Sequence, residues 1–209
     1  REQLACFEKR PLFGKGIVVT RAREQASDSA ALLESLGAEV IQFPTITIKP
    51  LADYNAVHTA IRSLAGYKMV IFTSVNGVKH FWLQLQALGL DSRALGNLKV
   101  AAIGPATAEA LAKRGIRADF IPEKFVAESI AEGIIRLCGE SVSGMKILLP
   151  RAKEAREILP ETRAATGAQD EVLPVYETVP SDARRDEVLE KLQAGDIQCI
   201  TFGSSSTET

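Results

Sequence analysis

Met69-Val70-Ile71-Phe72-Thr73-Ser74-Val75-Asn76-Gly77-Val78 is the stretch from which the fold is read. Four apolar residues in succession read as a strand buried on both faces, and they empty into small hydroxyl and amide residues that open a helix. A related stretch, Cys199-Ile200-Thr201-Phe202-Gly203-Ser204-Ser205-Ser206-Thr207, recurs close to Thr209, where the sequence ends. In a parallel α/β sheet the strand-to-helix turn is where ligands bind. The chain is therefore expected to present two such edges. By analogy with the first copy, a further turn and a closing helix are expected after Thr209, so the sequence reads as truncated at its C-terminus.

Working outward, Gly16-Ile17-Val18-Val19-Thr20 reads as a buried strand, and Ser27-Asp28 as the cap of the helix that follows. That helix runs to about Leu36, with Leu32, Leu33 and Leu36 on its inner face, and Gly37 ends it. Val40 to Pro44 completes a βαβ unit. Thr45 to Pro50 alternates in the β manner, and its best partner lies far along the chain at Glu171 to Val179.

Between these two segments, strands are expected at 69–73, 100–104, 119–121 and 146–150, alternating with helices at 57–64, 76–88, 105–113, 127–137 and 155–166, the last kinked at Pro160. A helix over 182–193 and a strand over 198–202 close the pattern. Such alternation predicts an α/β fold: two doubly wound parallel-sheet domains joined by a two-stranded β linker, the middle domain inserted into the terminal one. The expected boundaries are an N-terminal arm at 1–14 and a terminal domain of 15–44 plus 180–209. The linker takes 45–53 and 171–179, and the inserted domain 54–170.

Composition narrows the function. A net charge of −1 argues against nucleic-acid binding, which needs clustered Lys and Arg. An anionic ligand would have to be held by local dipoles and a few placed cations. Cys6, Cys138 and Cys199 show neither zinc spacing nor an even count for a disulfide framework, which suits a reducing cytoplasm and predicts no metal. No apolar run approaches the roughly 18 residues of a membrane span.

Each motif carries two readings. Thr73, Ser74 and Asn76 cap a helix or also hold a ligand; Ser204 and Ser205 share that argument on the second copy. Ile103-Gly104-Pro105-Ala106-Thr107 is a well-capped βα turn or an anion site made of free N–H groups, and it is no GxGxxG dinucleotide fingerprint. Arg21 and Arg151 each follow a strand; a solvated face explains either, while Arg151 beside Pro150 is the better candidate for a carboxylate clamp. Tyr176, in the predicted linker strand, is a core tyrosine or a general acid facing the site. His58 and His80 sit on helices with no paired acid or serine nearby, so no catalytic triad is visible, and Phe81 and Trp82 read as core.

Taken in order, Arg21, Phe72-Thr73-Ser74-Val75-Asn76, Ile103-Gly104-Pro105-Ala106-Thr107, Ala127-Glu128-Ser129, Val175-Tyr176-Glu177-Thr178 and Ser204-Ser205-Ser206-Thr207 resemble the uroporphyrinogen-III synthases. The resemblance covers residues 15 to 209. It departs at Gly203, which stands where the first copy has Thr73. It implies two α/β domains on a two-stranded linker, no cofactor, and a domain that is monomeric. The implied reaction closes the linear tetrapyrrole hydroxymethylbilane into uroporphyrinogen III with inversion of ring D and loss of water, on the route to haem, sirohaem and cobalamin. The position matching Tyr176 is implied as proton donor to the departing hydroxyl. The substrate carboxylates are implied to meet helix N-termini near Thr73-Ser74, Gly104-Thr107 and Ala127-Glu128-Ser129. Phe7 to Lys15 also resembles the junction in proteins that fuse this synthase to an upstream uroporphyrinogen methyltransferase. Two competing readings are a non-catalytic tetrapyrrole-binding or regulatory module with the same fold, and a hinge-type binder of small anions.

Overall fold

The computed structural model describes residues 9–20, 23–124, 127–139, 142–154, 167–181 and 183–202. The expected helix over 155–166 falls outside these. The chain divides into two compact units, one of Arg1–Ile48 with Thr178–Thr209 and one of Lys49–Glu177.

In the first unit, β1 (Gly16–Val19), α1 (Arg23–Ser35), β2 (Glu39–Gln42), α6 (Arg185–Ala194) and β8 (Cys199–Thr201) build a three-stranded parallel sheet with its helices, in the order β2-β1-β8. The central strand is buried along its whole length, as a parallel strand covered on both faces must be. Val18, Ile41 and Val188 form its core, with Phe43 and Ile197 packed against them. Gly16 leaves no room for a side chain because the carbonyl of Asp196 crosses over it.

One expectation is corrected in this unit. Leu32 is 62% exposed; Ala30 takes the buried face of α1, and a residue two positions further on points about 200° away around the helix. The described part of the N-terminal arm packs on the end of α1. Leu12 N–H donates to Leu36 O at 3.0 Å, and Arg10 and Phe13 crowd Gly37, whose φ of +98° requires glycine.

The second unit contains α2 (Asn55–Arg62), β4 (Met69–Phe72), α3 (Val75–Ala87), β5 (Lys99–Ala102), α4 (Pro105–Ala112), α5 (Ala127–Cys138), β6 (Lys146–Ala152) and most of β7 (Gln169–Pro180). Its sheet has the order β3-β7-β6-β4-β5, where β3 is Ile46–Lys49. The pairs β4–β5, β4–β6 and β6–β7 are all parallel, so their carboxyl ends share one edge. Residues 119–121, expected as a short strand, join beyond β5 through a single parallel bridge between Ala101 and Phe120.

Every residue of β4 is fully buried because helices cover both faces of the sheet. On one face Met69, Ile71, Ile147 and Leu149 pack with Ile130 and Ile134 of α5. On the other, Phe72 meets Phe81 edge-on at 5.5 Å and Trp82 at 5.8 Å, both from α3. Burying a side chain of this size contributes about 1.5–3 kcal/mol. Among the described residues, no helix is long and apolar enough to cross a membrane.

Candidate functional site at the carboxyl edge of the sheet

The order of the second sheet locates a crevice before any side chain is considered. The chain lays down β4, adds β5 on one side, then returns to add β6 and β7 on the other. Strand order therefore reverses between β4 and β6, and in open parallel sheets ligands bind beyond the carboxyl ends at such a reversal.

Ser74 stands at this point, immediately after β4. Its backbone is extended (φ −156°, ψ 156°), and its hydroxyl accepts from Gly77 N–H at 3.0 Å, which makes it the N-cap of α3. The same oxygen lies 3.3 Å from the Tyr176 hydroxyl. Tyr176 reaches that position through a β-bulge. Pro150 pairs with Leu173 and Arg151 with Pro174, but Ala152 pairs with Tyr176, so Val175 is an extra residue on β7. A bulge re-aims the side chains around it. Here it breaks the strict in–out alternation, so that Val175 and Tyr176 are both buried. Pro174, which has no N–H to give the ladder, sits where the interruption costs least. Lys153 N–H donates to Tyr176 O at 2.9 Å, and the Lys153 ammonium meets Glu177 at 2.9 Å, so the turn after β6 holds β7 in this register.

The Tyr176 phenol is 7% exposed, and its burial pushes it above the ordinary phenol value. The hydrogen bond with Ser74 and the charge of Arg151 pull it down, and Glu154 adds a smaller push upward. It is consequently protonated at neutral pH, with a hydroxyl hydrogen to give. Arg151, near the carboxyl end of β6, is 4% exposed. A guanidinium buried this deeply beside a phenol favours negative charge developing on it.

The other expected residues follow the same edge. Thr73 and Asn76 are half-buried at the start of α3. One strand over, Gly104 turns the chain from β5 into α4 with φ +92° and ψ 157°, a conformation open in practice only to glycine, and Pro105 occupies the first helical turn. Apart from its chain neighbours, no heavy atom lies within 4 Å of where a Gly104 side chain would begin. Thr107 is buried against the helix. Beyond β5, Ser129 lines a cleft of about 370 Å³ with Ile121, Pro122, Glu123, Glu132 and Arg136. Ala127 and Glu128 open α5, but their side chains lie outside the described ones. Arg21, Ser204 and Ser205 likewise fall outside the described residues. A larger groove of about 750 Å³, between α4 and residues 115–121, holds neither Ser74, Arg151 nor Tyr176.

Two residues of α3 at this site carry no signal in the sequence. The imidazole of His80 stacks on the phenol ring, with centroids 5.1 Å apart and planes 29° apart. Gly77 lets α3 approach β6, since a β-carbon there would lie 2.8 Å from Pro150 O. Both contacts join α3 to strands far along the chain, and no local pattern announces them. Among the described residues no group of three or more His, Cys, Asp or Glu could hold a metal ion.

The family profile described as Uroporphyrinogen-III synthase HemD matches residues 27–209. The chain is 32% identical over 206 residues to the porphyrin biosynthesis protein HemD of Ruminiclostridium josui, covering 99% of this chain but 40% of that protein. It is 33% identical over 202 residues to the uroporphyrinogen-III synthase of Synechococcus elongatus, covering 95% of this chain and 74% of that one. In fold it matches a crystal structure of a mutant uroporphyrinogen III synthase from the extremely thermophilic bacterium Thermus thermophilus, with a TM-score of 0.66 at 20% identity over 92% of this chain and 74% of that one.

Proposed function

The chain belongs to the uroporphyrinogen-III synthase family, lyases of tetrapyrrole biosynthesis, and from that premise we propose that it closes hydroxymethylbilane to uroporphyrinogen III with inversion of ring D and loss of water. The observation that carries this reading is the Tyr176 hydroxyl, 3.3 Å from Ser74 at the reversal of strand order, buried and protonated. The bilane is electron-rich, so its terminal hydroxyl is pushed out by the pyrrole nitrogen. A proton from Tyr176 lets it depart as water and leaves an azafulvenium cation beside the Tyr176 phenolate. Ring D attacks through its substituted carbon, and the resulting spiro intermediate fragments and recloses in the inverted sense. Reclosure releases a proton from ring D, which balances the one Tyr176 gave.

A raised phenol is a weak acid, so its share is to solvate and protonate a group that is already leaving. Holding ring D is the larger task, because the azafulvenium cation cyclises unaided to the uninverted isomer. Arg151 would offset the charge left on the phenolate and receive a substrate carboxylate. We assign the remaining carboxylates to the N–H groups and hydroxyls of Thr73, Ser74 and Asn76, of Gly104 and Thr107, and of Ala127, Glu128 and Ser129. From β7 to residues 119–121 the carboxyl edge spans about 19 Å, four spacings of ~4.8 Å, a length suited to an extended linear tetrapyrrole. Helix N-termini hold anions through dipoles, which agrees with a net charge of −1.

Arg21, Ser204 and Ser205 are proposed as further substrate contacts on the family pattern. We also propose the expected division into a terminal domain, a β linker and an inserted domain, a cytoplasmic location, a monomeric domain, and an upstream methyltransferase as fused partner. The test of the Tyr176 role is Tyr176→Phe in the intact protein. Turnover should fall by about 10²-fold or more while the bilane still binds. Unchanged turnover would remove the proton-donor role.

A further inference from the structure

We propose that His80 is a positioning residue for Tyr176: its imidazole stacks on the phenol and fixes the line along which the hydroxyl points. This rests on the reading of Tyr176 as proton donor. A tyrosine hydroxyl lies on the axis of its ring, so rotation of the ring about that axis leaves the oxygen in place. Swinging the whole side chain about χ1 moves it, and a misplacement of about 1 Å at a reacting group can cost on the order of 10²-fold in rate. A ring packed against the phenol face opposes that swing directly.

His80 is placed to do so. It is 9% exposed on the second turn of α3, with its plane 29° from that of Tyr176 and its centroid 5.1 Å away. The offset-stacked geometry is one that flat rings prefer. The contact between the two rings is a stacked one, so what the imidazole face gives the phenol is packing. Ser74, the N-cap of the same helix, engages the hydroxyl at 3.3 Å. One rigid element thus constrains the side chain at two points, the ring face and the oxygen. The bulge and the Lys153 N–H bond fix its backbone. The rest of the buried face of α3 is Gly77, Val78, Phe81, Trp82 and Leu85, and of its two polar-tipped rings Trp82 donates to Ser92 while His80 stacks on Tyr176.

The experiment compares His80→Ala, His80→Phe and His80→Leu, alone and with Tyr176→Phe, in the intact protein with hydroxymethylbilane as substrate. His80→Ala should lower kcat by about 2- to 12-fold, the range to which an aromatic pair's stacking preference converts. KM should change less than about twofold, and the fraction of uninverted isomer should rise. His80→Phe restores a flat ring and should recover most of the loss, whereas His80→Leu, of similar bulk, should not. The double variant His80→Ala with Tyr176→Phe should be no slower than Tyr176→Phe alone, because the effect of His80 passes through the phenol. Spectrophotometric titration supplies a second readout: removing the imidazole admits water to the phenol, so the Tyr176 midpoint should fall in His80→Ala and stay in His80→Phe.

The inference is overturned if His80→Leu is as active as His80→Phe, or if the loss in His80→Ala persists undiminished in the Tyr176→Phe background. If His80→Ala does not fold, the comparison of Phe with Leu decides alone. A slow Tyr176→Phe beside an undisturbed His80→Ala removes the role of His80 and leaves the donor reading standing. A fully active Tyr176→Phe removes the donor reading itself.

Discussion

Replacing Gly77 by alanine tests whether the helix that carries Ser74 is seated as closely on β6 as the structure has it. A β-carbon at Gly77 would stand 2.8 Å from Pro150 O and 3.3 Å from the Ser74 hydroxyl oxygen. The first distance is about 0.6 Å inside ordinary van der Waals contact at 3.4 Å. Pro150 is a buried strand residue and its carbonyl cannot turn aside, so the start of α3 has to withdraw by about that much. Overpacking of this kind costs about 1–3 kcal/mol, against which alanine returns about 1 kcal/mol of helix propensity. The net expectation is a loss of about 1 kcal/mol.

Activity should fall further than stability. The Ser74–Tyr176 contact is already long at 3.3 Å, and a withdrawal of about 0.6 Å takes it beyond hydrogen-bonding range. The assay is urea denaturation together with kcat/KM for the bilane. Gly66→Ala is the control, because no atom lies within 4 Å of its β-carbon position. Gly66→Ala should stay within about 0.5 kcal/mol of the wild type, and Gly77→Ala should lose about 10-fold or more in kcat/KM. A Gly77→Ala protein that is more stable than the wild type and equally active would refute the close approach, since helix propensity would then be the whole effect.

Two further outcomes are expected. Burial, then a hydrogen bond and the charge of Glu171, push the Tyr67 phenol up to about 12. The folded state therefore keeps a proton that the unfolded chain loses near pH 10, and stability should be flat below pH 10 and fall as the pH rises from 10 to about 12. Tyr67→Phe should make that fall shallower, leaving what Tyr176 contributes; an unchanged slope in alkaline denaturation curves would contradict the assignment. Gly104→Ala has space for its methyl group but must hold φ near +92°, so it should cost about 1–3 kcal/mol by denaturation and weaken bilane binding. A neutral Gly104→Ala would mean that the turn into α4 tolerates an ordinary backbone.

What can be read from the sequence is what local patterns encode. Met69 to Phe72 followed by Ser74 is a buried strand running into a capped helix, and the structure has β4, the cap and α3 there. Gly104-Pro105 similarly marks a βα turn, because glycine and then proline satisfy those two conformations. Leu32 misleads because it, Leu33 and Leu36 look like one face until Ala30 takes the buried side. The bulge that re-aims Tyr176 depends on how β7 pairs with β6, and the stacking of His80 depends on which strand α3 covers. Both are consequences of register between distant segments, and a single sequence does not express register.

The central claim is that this edge of the sheet directs ring D, and the isomer composition formed from fresh hydroxymethylbilane tests it most directly. With the intact, demonstrably folded protein, isomer III should dominate over the isomer I that forms spontaneously, and Tyr176→Phe should shift the product back toward isomer I. Isomer I alone, formed at the uncatalysed rate by the folded wild-type protein, would contradict the account.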